Sequence, residues 1–146
     1  MARKWLGLML ALLVTLGGGL SAQAPRESTE TSKTTWYFYT VKWGFQDEFL
    51  TLFARNHYPL LKALEKAGRY SRVRTYVPTN HGDGRADWTF AVELVEVANP
   101  PKVDEEALFK QLFPDQAKYE KEEQRRFELL VAHWDVPLNV LDLSKP

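Results

Sequence analysis

The sequence predicts an α+β domain of βαββαβ order: one four-stranded antiparallel sheet carrying its helices on a single face. Three observations lead to it. The run Trp36-Tyr37-Phe38-Tyr39-Thr40-Val41 is aromatic and β-branched, the composition of a strand. Two longer stretches, one opening at Phe45 and one following Pro114, set apolar residues at helical spacing. Between them, Tyr70–Val77 and Trp88–Leu94 alternate from face to face across a turn-rich loop, Pro78–Ala86.

The chain reaches this domain through an export signal and a polar leader. Arg3 and Lys4 give a positive start, Trp5–Leu20 holds no charge, and Ser21-Ala22-Gln23-Ala24 ends on small residues. That is the pattern of a cleavable secretory signal, residues 1–24. A membrane span needs about 20 apolar residues. The uncharged run here has 16 and ends in Gly17-Gly18-Gly19, which weakens a helix. No cysteine lies near the cleavage point, so a lipid-modified lipoprotein is not expected. Residues 25–34 are almost free of apolar side chains and read as a disordered leader, with the domain over 35–146.

Cleavage leaves 122 of the 146 residues, with 17 basic against 19 acidic and a net charge of −2. Nucleic-acid binders carry a basic excess, so no nucleic-acid partner is expected. The mature chain is expected to be periplasmic or secreted and free of the membrane. The absence of cysteine removes disulfides, thiolate metal sites and thiol nucleophiles. Stability then rests on packing, for which eight Phe, six Tyr and, once Trp5 leaves with the signal, four Trp offer area.

Each element follows in turn. The first strand is apolar on both faces and is expected to be covered on both sides. Phe45, Phe49, Leu52, Phe53, Leu60 and Leu64 mark a helix that Gly68 ends. Inside it, Pro59 removes a donor, crowds the Arg55 carbonyl and pushes Tyr58 from helical angles, so a break is predicted there. The second strand sets Val73 and Val77 against Tyr70, Arg72, Arg74 and Tyr76; the third sets Trp88, Phe90, Val92 and Leu94 against Thr89, Ala91 and Glu93. Asn99-Pro100-Pro101 breaks the chain, and Asp104–Phe113 reads as a short helix. Pro114 suits the first turn of a longer helix running to about Trp134. Along it, Lys118 with Glu122 and Glu122 with Arg126 are spaced to pair on a solvated face. Val136–Leu143 closes the domain as a strand, and Pro137 marks it as an edge.

This order is the ferredoxin-like arrangement, which leaves one sheet face without helices. Aromatics with Arg72, Arg74 and Glu93 make that face richer than a solvated surface requires, and a second copy of the chain would cover it. The aromatic first strand, the helix opening Gly44-Phe45-Gln46-Asp47-Glu48-Phe49 and the βαββαβ order resemble the dimeric α/β-barrel superfamily. That group includes NIPSNAP-like proteins, antibiotic-biosynthesis monooxygenases and stress-responsive A/B-barrel proteins. Phe109–Val136, with Phe113-Pro114-Asp115-Gln116 and Glu123-Gln124-Arg125-Arg126-Phe127-Glu128, is also similar to small exported bacterial proteins of no assigned function. The resemblance spans roughly Thr35–Leu143 and is one of topology and texture. It implies a homodimer whose two sheets meet as a barrel, with ligands between each sheet and its own helices. Its members differ in chemistry, so the fold does not select a reaction.

Candidate site residues gather at the helix break. On a wheel of about 100° per residue, Asn56 falls near the middle of the apolar face and His57 toward its margin. A buried amide needs partners. Asn56, His57 and Tyr58 read either as the lining of a pocket under the helix or as a polar plug that tidies the kink. His57 is the candidate acid/base, since imidazole titrates near neutral pH; Asn56 would orient a ligand oxygen, and Tyr39 and Trp88 would shape the walls. Arg72 and Arg74 would grip a ligand anion or pair with Glu93 and Glu96 across the strands.

Elsewhere the bland readings lead. His81 sits in a loop, Asn80-His81-Gly82-Asp83-Gly84, without phosphate- or calcium-loop spacing. His133 is placed at the end of the long helix, where it suits the helix terminus. His57, His81 and His133 match no zinc spacing, and nothing specifies haem, so no cofactor or metal is expected. The expected function is binding of a small organic molecule, with or without cofactor-free conversion. The alternative is a non-enzymatic exported protein acting through its dimer or a partner contact.

Overall fold

A computed structural model describes residues 32–80 and 87–144. The signal, residues 25–31 of the leader and His81 with its glycines lie outside the described residues. Four strands, β1 (Thr34–Val41), β2 (Tyr70–Tyr76), β3 (Phe90–Glu96) and β4 (Leu130–Leu138), alternate with two helical pairs. The first pair is α1 (Gln46–Asn56) and α2 (Tyr58–Lys66); the second is α3 (Glu105–Leu112) and α4 (Gln116–Glu128). The strands form one antiparallel sheet in the order β2-β3-β1-β4, the ferredoxin-like topology.

The helix side of the sheet holds the core. Tyr39, Phe49, Phe53 and Phe90 pack ring against ring at centroid distances of 4.7–6.1 Å. Val73, Val92, Leu94, Leu52 and Leu61 extend the cluster. Each long helix stops for a local reason. The His57 N–H bonds the Phe53 carbonyl at 2.9 Å, and α2 then restarts with Pro59 in its first turn, so the predicted break is centred on His57 rather than Tyr58. Gly68 takes φ +82° just past Ala67, the helix-ending conformation open to glycine. Asp104 and Asp115 cap α3 and α4 by accepting from Ala107 N and Lys118 N, each at 3.0 Å.

Several expectations are corrected. The long helix ends at Glu128, Pro114 lies before its cap, and residues 130–138 form the edge strand that was expected later in the chain. Phe127, Val131 and Trp134 fit a helical spacing, but β1 needs a partner on its second edge, and Phe38 pairs with Trp134 there. His133 therefore stands on β4, not at a helix end. Tyr70 leaves the face of Arg72, Arg74 and Tyr76, because an irregularity between Tyr70 and Arg72 turns it toward the core. Trp88 precedes β3 and packs on Phe38, opposite the face of Phe90. Glu122 bonds Arg55 at 2.6 Å, and Arg126 bonds Glu123, in place of the expected pairs along α4.

Candidate functional site

The pleat of β1 sorts the site residues. Tyr37, Tyr39 and Val41 point toward the helices, while Trp36 and Phe38 point to the bare side. Across the β1–β4 ladder, His133 lies opposite Tyr39 and Asp135 opposite Tyr37, so both join the helix side.

On that side, charged and polar groups converge on the aromatic core. The α4 pair Glu123–Arg126 is buried and bidentate, with Nε and Nη2 donating to the two carboxylate oxygens at 2.8 and 2.7 Å. Arg126 is only 3% exposed. Its guanidinium lies over the rings of Phe49, Phe53 and Phe127 at 5.9, 5.8 and 4.5 Å, contacts that offset the cost of burying a cation. Tyr39 stacks on His133 at 4.3 Å and 12°, and meets the edge of Phe53 at 5.9 Å. His57 in turn lies 5.1 Å from Phe53. The His133 ring shares a 2.9 Å hydrogen bond with the Phe38 carbonyl through Nδ1, while Nε2 lies 3.4 Å from Asp135 Oδ1.

The electrostatics follow from this packing. Burial pushes the His57 pKa below its ordinary 6.5, and the nearby Arg126 charge pushes the same way against Glu123. Its imidazole is thus neutral at neutral pH, able to accept a proton. Burial raises the Tyr39 phenol to about 12 against the pull of Arg126, so the hydroxyl stays protonated. A proton acceptor and a proton donor therefore both contact Phe53, with one fixed ion pair beside that ring.

The sequence-predicted residues divide into three groups. His57 and Tyr39 are brought to this helix-side cluster, and Tyr58 packs on the core beside it. Asn56 lies on the opposite side of the break, in a cleft of about 240 Å³ reaching toward the α3–α4 connection. Trp88 and Arg74 are on the bare sheet face: Trp88 packs on Phe38 at 5.7 Å, and Arg74 is in register with Glu93. Of the arginines there, Arg72 is the one close to Glu93, at 3.6 Å, while Glu96 receives Arg69. Glu123 and Arg126 were missed as site residues. Their signal is a stripe: Tyr119, Glu123 and Arg126 share one face of α4 at helical spacing, and a face that runs from an aromatic ring through charges marks a buried pair.

A second cleft, about 740 Å³, opens at the β1–α1 corner around Lys42, Trp43 and Gln46, with Val77, Pro78 and Asn80 also in its lining. Neither cleft is lined by His57 or Tyr39. Among the described residues, no group of three or more His, Asp or Glu is placed to hold a metal ion, and no helix is long and apolar enough to cross a membrane.

The bare face carries its own cluster. Trp36 stacks between Phe38 at 5.8 Å and Tyr76 at 4.8 Å, and Phe38 continues to Trp88 and to Trp134 at 5.4 Å. Beneath them Glu93, 8% exposed, accepts the Tyr76 hydroxyl at 2.8 Å.

No protein-family model matches the chain, and no curated protein matches it. Among solved structures it is similar to a NIPSNAP family protein from Agrobacterium tumefaciens, at 14% identity over 80% of this chain and 91% of that one, with a TM-score of 0.48. A dimeric ferredoxin-like protein from an uncultured marine organism is similar at 8% identity over 77% and 90%, with a TM-score of 0.47. A dabb family protein with a ferredoxin-like fold from Mesorhizobium loti is similar at 8% identity over 77% and 99%, with a TM-score of 0.37. The NIPSNAP and A/B-barrel groups that the sequence resembles thus recur among these structures. The likeness is one of fold.

Proposed function

We propose that this chain is an exported protein that works as a homodimer, each copy covering the bare sheet face of the other. One observation carries the reading: Trp36, Phe38, Tyr76, Trp88 and Trp134 form a continuous aromatic surface on the face opposite the helices. Aromatic area of this kind dominates interface energetics and is enriched at interface cores. A copy turned by a two-fold axis would present the same rings to it. Phe38→Glu places a charge in the centre of that surface and is expected to elute as a single chain in gel filtration. Leu143→Glu, at an exposed position away from the sheet, is expected to elute as the unaltered protein does. Equal elution of all three as a single chain would remove the reading. Export rests on the basic start, uncharged run and small-residue end; the mature protein is expected to begin at Pro25, which intact mass from the exported fraction measures.

A second reading is binding, and cofactor-free conversion, of a small organic molecule on the helix side. It is favoured by the neutral His57 and protonated Tyr39 beside the Glu123–Arg126 pair, an acid/base couple held in place. His57→Ala would then abolish turnover of any compound found in a metabolite screen. Unchanged turnover would assign His57 to the helix break alone.

A further inference from the structure

We propose that the cleft behind the α1–α2 break binds a small monocarboxylic acid with a flat apolar body. Asn56 lines this cleft, is 3% exposed, and its Nδ2 has no hydrogen-bond partner among the described residues. A buried amide left unpaired is costly, and an acceptor brought by a ligand would satisfy it. The second observation is electrostatic. α4, 13 residues long, starts at the cleft, and the positive end of a helix favours an anion.

The charged groups at the rim decide the ligand's sign. Glu122 is engaged by Arg55 at 2.6 Å, and Asp115 accepts Lys118 N at 3.0 Å as the α4 cap. The Lys118 ammonium has no carboxylate partner among the described residues. The first turn of α4 is already capped by Asp115, so the unengaged groups are the Lys118 ammonium and an amide that can donate, which together fit a carboxylate. The walls fit its body: Pro59, Leu112, Phe113 and Tyr119 line the cleft, with Phe113 and Tyr119 in ring contact at 4.8 Å. At about 240 Å³ the space is smaller than the roughly 300–1,000 Å³ that suits drug-sized ligands. The cleft lies on the outer helical layer and does not depend on what covers the sheet.

Titration of the isotope-labelled mature chain with sodium benzoate, followed by NMR, tests the assignment. The Asn56 side-chain amide and the first-turn amides of α4 are expected to shift saturably with benzoate. Benzamide is expected to bind about tenfold more weakly or worse, for want of the charge. Lys118→Glu, a surface change that leaves the fold intact, is expected to lose affinity by about the same factor. Three results would overturn the proposal: an Asn56 amide unmoved by benzoate, equal shifts from sodium chloride at the same ionic strength, or an unaltered benzoate affinity in Lys118→Glu.

Discussion

Arg126 shows how much a single side chain holds on the helix side. Its charge is buried under α1 and neutralised by Glu123 one turn away on the same helix. Removing one member of such a pair leaves the other charge buried and unpaired, which costs about 3–5 kcal/mol. Arg126→Leu is expected to lose that much in urea unfolding, and Glu123→Leu with Arg126→Leu to recover most of it. His57 supplies a second residue-scale expectation. Its pKa is lower folded than unfolded, so the unfolded chain binds the proton more readily. The neutral ring's contribution is present above 6.5 and is lost as pH falls through that value toward the folded one. Arg126, Glu123 and His133 are the charged and titratable groups that act on it or face it. Unfolding midpoints are expected to fall with acid in the native sequence, and His57→Gln is expected to flatten that part of the curve.

At the scale of elements, the helices begin where short acidic side chains meet free backbone donors. Asp104→Ala removes the cap of α3 and is expected to cost about 1 kcal/mol, measured by urea unfolding. The same local chemistry explains what could be read beforehand. Pro59 and Gly68 announced the broken first helix and its end, and the alternation of Val73, Val92 and Leu94 announced the buried face, because each effect acts within a few residues. The end of α4 was not legible in that way. Phe127, Val131 and Trp134 satisfy a helical period, and what makes 130–138 a strand is the free edge of β1, about ninety residues earlier in the chain. Long-range pairing likewise decided the ion pairs: Arg55 with Glu122 and Arg125 with Glu48 tie α1 to α4, where the sequence offered only i,i+4 neighbours. The site was legible in its residue types and not in its sides. His57 and Tyr39 both touch Phe53 and Arg74 keeps its expected bare face, yet Trp88 falls across the sheet, because the bend at Thr89 detaches it from the β3 alternation.

The molecule as a whole has one well-packed side and one that is aromatic and bare. Helices α1 and α2 lie on the packed side, with α4 against α1, while the opposite face sets a ladder of rings over Ala91, Glu93 and Val95. Partially covered aromatic area on this scale favours self-association over solvation. The chemistry proposed at His57 and at the Asn56 cleft belongs to the helix side, so assembly and binding are separable in this architecture. Sedimentation equilibrium of the mature chain over a wide concentration range tests the central claim most directly. Twice the single-chain mass, falling to the single-chain mass in Trp36→Glu, is the expected result. A single-chain mass for the unaltered protein at the highest concentration would contradict it.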